Sequence, residues 1–201
     1  MKAKSLKSII VIFILFIIAG IMYGITHNKK DEQQENKDIS YQTVDMITNI
    51  RLGISNFDSI HPYVTNNQEA IYIDQLIFEP LLSITEDYKV SECLAKEWSR
   101  IGDKTYVIKL NENIQWQDGS KFTAEDVKFS VTKLQSQTKS VYYSNVKNIK
   151  DVEIVDENTV RIELKQTEPF FEYNLIFPII SSKQYKSTSL NSNTIPLGTG
   201  Q

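Results

Sequence analysis

Cysteine and histidine are nearly missing from this sequence of 201 residues, which has one cysteine, Cys93, and two histidines, His27 and His61. A lone thiol excludes an intrachain disulfide and any multi-cysteine metal cage. A nucleophilic triad needs a histidine held between a nucleophile and a carboxylate. His27 adjoins an apolar N-terminal run, so only His61 is left to act as base, and catalysis is not expected. One imidazole is also a weak ligand set for a metal, so no cofactor is expected and His61 reads as a surface residue. Cys93 reads as a small buried apolar residue. A basic excess is lacking as well. With 22 Lys and Arg against 25 Asp and Glu, the net charge of -3 argues against a broad nucleic-acid-binding face. No Walker-type glycine loop occurs, so the chain does not itself hydrolyse ATP.

What is present is an ordinary globular composition, 41% hydrophobic and 23% charged, behind an unusual N-terminus. Lys2, Lys4 and Lys7 precede residues 9–25, IIVIFILFIIAGIMYGI, which carry no charge. The uncharged stretch from Ser8 to Thr26 makes roughly 19 residues, about 28 Å as a helix, close to bilayer thickness. Residues 1–27 therefore read as one transmembrane helix, an anchor more than a cleaved signal, with the basic end in the cytoplasm and the rest outside it. No cysteine stands just after the run to carry a lipid. Residues 28–42 are too polar to offset the entropy of ordering them and read as a tether, or as a solvated continuation of the helix.

From residue 43 to 201 the pattern is α/β. Val44, Ile47, Ile50 and Leu52 suggest a first strand over 43–52, closed by Gly53, Ser55, Asn56 and Asp58. Asn66 or Asn67 caps a helix running to about Phe78, with Ala70, Ile73 and Ile77 on one face, Gln68, Glu69 and Asp74 on the polar side, and Pro80 as the stop. Residues 105–110 alternate, with Tyr106, Ile108 and Leu110 on one side. Gln117-Asp118-Gly119-Ser120 is a turn. Thr123 opens a helix whose face is Val127, Val131 and Leu134, and Glu125 and Asp126 suit its positive end. Residues 151–155 and 159–165 form a hairpin with one wet face. Pro169 ends its second strand, and a compact Phe170-Phe171 pair leads into a buried stretch from Tyr173 to Ile180.

The motif Ala95-Lys96-Glu97-Trp98 followed by TYVIKLNENIQWQDGSKFTAEDVKFSV at 105–131 resembles the signature of the family 5 extracellular solute-binding proteins, the peptide- and nickel-binding components of ABC importers. Ile60-His61-Pro62, Ile77-Phe78-Glu79-Pro80-Leu81-Leu82, VEIVDENTVRIELKQTEP at 152–169 and Pro196-Leu197-Gly198-Thr199-Gly200 follow the family's order, so the likeness covers residues 51 to the end. His61 stands where the family usually has aspartate. The resemblance implies a type II periplasmic-binding-protein-like fold, present in part: the first lobe and its attached subdomain, the family usually running to more than twice this length. The sequence stops inside what resembles a Gly-Thr-Gly-Pro-Tyr-type motif, which suggests a truncated chain with unpaired strand edges.

The resemblance also implies a function, that of a membrane-tethered extracytoplasmic component delivering oligopeptides to the permease subunits of an ABC importer. The alternative is an interaction or scaffold protein that keeps part of the lobe without transport. By alignment with the family's motif, Asn66, Asn67 and Gln68 would lie near a bound peptide backbone, which amides suit because each offers donors and an acceptor; equally, Asn66 and Asn67 would only cap the helix. Gly198, Thr199 and Gly200 would form a loop that approaches ligand closely, or a disordered end. Tyr142 and Tyr143 would wall a pocket, or simply pack. Trp116 and Asp118 read as structural, a packed indole and a turn carboxylate.

Overall fold

A computed structural model describes residues 16–23, 53, 58–186, 190 and 195–200. The expected strand at 43–52, the tether and most of the apolar run lie outside these residues. The chain divides into two units, Met1–Arg51 and Leu52–Gln201. In the first, residues 16–23 form a helix, α1, whose side chains are all exposed. Among the described residues no helix is long and apolar enough to cross a membrane.

The second unit begins with α2 (Gln68–Ile77), capped by Asn67, whose Oδ1 accepts from the amides of Glu69 at 2.9 Å and Ala70 at 3.1 Å. The helix stops where Phe78 turns extended, two residues ahead of Pro80. Its buried face is Ala70, Ile71 and Asp74, while Ile73 and Ile77 are only half-buried. The expected apolar stripe is therefore rotated, and Asp74 is fully buried rather than on the wet side.

A small hairpin follows, β1 (Leu82–Ile84) with β2 (Val90–Glu92). The main sheet has four antiparallel strands in the order β3-β4-β6-β5, from β3 (Ala95–Ile101), β4 (Thr105–Leu110), β5 (Ile149–Asp156) and β6 (Thr159–Leu164). Alternation does what the sequence suggests: Tyr106, Ile108 and Leu110 are buried on β4, and Val160, Ile162 and Leu164 on β6. Glu157 and Asn158 turn the β5–β6 hairpin, so β6 returns beside β4. The wet face carries cross-strand ion pairs, Lys109 with Glu97 at 2.8 Å and Arg161 with Glu153 at 2.6 Å, which contribute little because solvent screens them.

Between β4 and β5 lie α3 (Ala124–Gln135) and the short α4 (Tyr143–Val146). Val127, Val131 and Leu134 of α3 are buried, and the helix contacts β5 and β6. Each such side chain stabilises by roughly 1.5–3 kcal/mol relative to exposure, so an aspartate at Val131 would break this contact. A capping box joins Thr123 and Asp126, with the Asp126 carboxylate accepting from the Thr123 amide at 2.9 Å.

After β6 the expected phenylalanine pair is split. Phe171 is buried at the start of a 3-10 turn, η1 (Phe171–Asn174), while Phe170 is exposed with φ of 59°. The extended segment 177–181 is buried but belongs to no named strand, and its polar groups are met largely by side chains. Tyr63 Oη donates to the Pro178 carbonyl at 2.6 Å, and the Ser130 hydroxyl accepts from Ile180 N–H at 2.9 Å while donating to its carbonyl at 3.2 Å. A last short helix, α5 (Ser182–Tyr185), is capped by Ser181.

Candidate functional site

Several of the expected site residues lie along helix α2, at its two ends and beside it. At its start Asn67 is the cap described above, while Asn66 and Gln68 are exposed and their side chains make no hydrogen bond to described residues. The turn before the helix is held by Asp58, whose carboxylate accepts from the Thr65 hydroxyl at 2.6 Å and the Asn66 amide at 3.1 Å. The Thr65 contact, then the Asn66 amide, hold Asp58 below the usual carboxylate range. Near the middle of the helix, the half-buried Tyr142 reaches the Gln75 side chain and senses Asp74. Tyr143, also half-buried, opens α4.

At the far end of α2 the glycine segment packs against the helix. Gly200 N–H donates to the Ile77 carbonyl at 3.0 Å. Gln117 N–H donates to the Gly198 carbonyl at 3.0 Å, Gly198 N–H donates to Gln117 Oε1 at 3.2 Å, and Gln117 Nε2 donates to the Gly200 carbonyl at 2.9 Å. A methyl group on Gly198 would sit 1.8 Å from the Ile77 carbonyl oxygen, and one on Gly200 would sit 2.3 Å from that of Leu76. The glycines are thus needed for close approach to the protein's own helix. The Thr199 hydroxyl oxygen is buried without a partner among the described residues. The two ends of α2 lie about 15 Å apart at 1.5 Å per residue, so Asn67 and Gly200 bracket the helix rather than converge.

Beside the glycine segment is an open depression of about 490 Å³ lined by Gln117, Asp118, Lys183, Gln184, Ile195, Pro196 and Leu197. Asp118 is the turn carboxylate expected, accepting from Ser120, and Lys183 joins it at 3.0 Å. The Ser120 contacts first, and Lys183 after them, draw the Asp118 pKa down to about 2. Trp116 is buried as expected, and its indole N–H lies 3.4 Å from Asp126 Oδ2. Asp126 Oδ1 accepts from Ser182 N–H at 2.8 Å, so one buried carboxylate joins the indole, the start of α3 and the start of α5.

The burial of two residues was missed by sequence reasoning. His61 is 3% exposed, not a surface residue; its Nδ1 accepts from Tyr63 N–H at 3.1 Å and its Nε2 has no partner among the described residues. Its ring meets that of Tyr185 edge-on at 4.7 Å. Burial brings its pKa down to about 4. Asp74 is 0% exposed with both carboxylate oxygens unpartnered among the described residues, and burial, then the Asp58 charge, push its pKa up to about 7. Tyr185, in turn, is raised to about 12 by burial and then by Asp74. Cys93 is half-buried rather than buried, with its Sγ 3.9 Å from Glu79 Oε1. Among the described residues no group of three or more His, Cys, Asp or Glu is placed to hold a metal.

Comparison with known proteins agrees with this architecture. Residues 89–201 match the family model of the bacterial extracellular solute-binding proteins, family 5 Middle. The glutathione-binding protein GsiB of Escherichia coli strain K12 is 30% identical over 151 residues, 73% of this chain and 30% of that protein. NikZ from Campylobacter jejuni, solved in complex with Ni(L-His), superimposes with a TM-score of 0.64 at 30% identity, over 75% of this chain and 31% of that one. The oligopeptide-binding protein AppA from Bacillus subtilis, solved with a nonapeptide, shares the fold with a TM-score of 0.61 at 20% identity, over 75% of this chain and 32% of that one. The chain thus spans about 30% of the length of the curated relatives it matches. Those relatives are binding proteins, not enzymes. By the match over more than half its length, the chain belongs to the family 5 bacterial extracellular solute-binding proteins.

Proposed function

We propose that the chain supplies one wall of an extracytoplasmic peptide-binding cleft that feeds the permease subunits of an ABC importer. The observation that carries this reading is the exposure of Asn66 and Gln68 at the start of α2, on a turn that Asp58 and the Asn67 cap already hold. Free amides on a fixed turn suit the main chain of a peptide, because they supply donors and acceptors without reading side chains. Tyr142, half-buried beside α2, and Tyr143 would form an apolar flank. Gly198, Thr199 and Gly200 would border the cleft at the other end, where the buried Thr199 hydroxyl has no partner among the described residues. The likeness to GsiB, named for glutathione, supports a peptide as the solute.

Isothermal calorimetry against pooled tripeptides tests the reading. The expected result is a weak saturable heat, since one wall makes only part of the contacts, that falls at least about fivefold in affinity in an Asn66→Ala, Gln68→Ala double variant. Asn67 keeps capping α2 in that variant, so folding is preserved. No heat from any pool, or heat unchanged in the double variant, removes the reading. The membrane anchor belongs to the same proposal: residues 9–25 would hold the lobe at the outer face of the membrane, and their deletion should release the protein from sedimented membranes. Retention of the deleted form in the membrane pellet would remove the anchor.

A further inference from the structure

Phe170 is 73% exposed and has φ of 59°, a left-handed conformation that is a genuine outlier for a bulky side chain. Its ring meets Tyr173 edge-on at 6.4 Å, and Tyr173 Oη donates to the carbonyl of Tyr88 at 3.2 Å. Tyr88 is itself 82% exposed with φ of 60°. Strain at two exposed aromatic residues, tied together through a third, holds Phe170 at the rim of a depression of about 310 Å³ lined by Trp98, Ser99, Arg100, Tyr106, Pro169, Phe170 and Glu172.

The slot lies at the sheet's edge. Trp98 pairs with Ile108 and Arg100 with Tyr106, both buried partners, so Trp98 and Arg100 belong to the inner face of the sheet. β3 is an edge strand: apart from Ala95, whose N–H donates to the Leu81 carbonyl at 2.9 Å, it is unpaired on its far side among the described residues. Two charges border the slot. Arg100 is already engaged, its Nη2 donating to the Asp103 carbonyl at 3.1 Å and lying 3.5 Å from the Asp103 carboxylate. Glu172 is half-buried and makes no ion pair or side-chain hydrogen bond to the described residues. What remains is three aromatic walls and one carboxylate that has no ion-pair partner among the described residues. That set suits an organic cation, which gains from the ring faces and from the carboxylate together and brings its own alkyl surface to the slot.

We propose that the slot between Trp98, Phe170 and Glu172 is a second binding site, for an alkylammonium group of the size of a lysine side chain. The field inside agrees: the Tyr106 hydroxyl, first raised by burial, is raised further by Glu172 more than Arg100 lowers it. A free small amine and a lysine presented by an extended polypeptide lying along β3 carry the same chemistry. The second would add main-chain hydrogen bonds to the open edge and send alternate side chains to the slot's face. The site does not rest on the peptide reading, whose residues lie at α2, α4 and 195–200.

The test is nitrogen-resolved NMR on the full chain, following the Trp98 indole N–H. It is titrated with n-butylammonium, with N-acetyl-lysine amide, with N-acetyl-norleucine amide as the uncharged control, and with a capped extended peptide, Val-Thr-Lys-Thr-Val. Saturable shifts are expected with the cations and not with norleucine. Glu172→Gln and Phe170→Gly should each weaken them about tenfold. Phe170→Gly also relieves the left-handed strain, so its melting temperature should hold or rise, which separates loss of the ring from loss of the fold. Equal affinity for butylammonium and the lysyl peptide would assign a small amine as ligand, and a tighter peptide would assign a protein segment. No saturation with any cation, norleucine binding as well as lysine, or cation binding indifferent to both variants overturns the site.

Discussion

Gln117 and Gly198 hold each other through two hydrogen bonds, Gln117 N–H to the Gly198 carbonyl at 3.0 Å and Gly198 N–H to the Gln117 side-chain oxygen at 3.2 Å. This clasp brings the Trp116 turn, the glycine segment and the end of α2 into one unit, and it works only because position 198 has no side chain. A Gly198→Ala methyl would fall 1.8 Å from the Ile77 carbonyl oxygen, far inside any real contact. The segment must then undock. The amides of Gln117 and Gly200 are expected to exchange with solvent at least about tenfold faster in that variant, as hydrogen-exchange NMR would report. Unchanged protection would contradict the clasp.

Asp126 is the second junction. Replacing it with alanine orphans the amides of Thr123 and Ser182 and the Trp116 indole N–H, all met by one buried carboxylate. The expected cost is about 3–5 kcal/mol, and for Asp126→Asn, which keeps one acceptor oxygen, about 1–3 kcal/mol. Urea unfolding measures both. Variants within about 0.5 kcal/mol of the parent would show that the junction contributes nothing.

Asp74 and His61 make opposite demands on pH. The folded pKa of Asp74 is raised to about 7 from 3.8, so its contribution is full below about 4 and is lost as pH rises toward 7. For His61 the folded pKa is lowered to about 4 from 6.5, so its contribution is full above 6.5 and is lost as pH falls toward 4. Between about 4 and 6.5 the two offset each other. Asp74→Asn should therefore unmask a protein that weakens in acid, and His61→Gln one that strengthens in acid, each by on the order of a few kcal/mol across that window. Urea midpoints at acid and neutral pH would show it. Parental slopes in both variants would refute the assignment.

Cys93 should be a slow thiol. Burial first, and the neighbouring Glu79 charge second, push its pKa up to about 11 from 9.0. At pH 8 the thiolate fraction is then about a hundredfold lower than in the unfolded chain, and alkylation by iodoacetamide should slow in proportion. Equal rates in folded and urea-unfolded protein would contradict this.

These residues also mark where the sequence is readable and where it is not. β4, α3 and the β5–β6 hairpin follow from local period: Tyr106, Ile108 and Leu110 alternate, and Val127, Val131 and Leu134 recur at helical spacing. The family resemblance rests on that same stretch. By contrast, the burial of His61 depends on Tyr185, more than a hundred residues away, and that of Asp74 on a helix rotated by its tertiary contacts. No local pattern carries that information, so polar residues there read as wet. Asn67 was legible as a cap because capping is local, whereas the closeness of Gly198 to Ile77 is not. Phe170 escaped for a further reason: it is part of an apolar pair, yet a left-handed backbone turns its ring out while Phe171 goes in.

The proposed peptide surface is formed by α2 and the segments packed on it. Amide chemical-shift mapping of the full chain with a saturating tripeptide probes it residue by residue. Concentration-dependent shifts are expected at Asn66, Asn67, Gln68, Tyr142, Tyr143, Gly198, Thr199 and Gly200, with β5 and β6 unmoved. Shifts confined to other elements, or none at saturation, would contradict it.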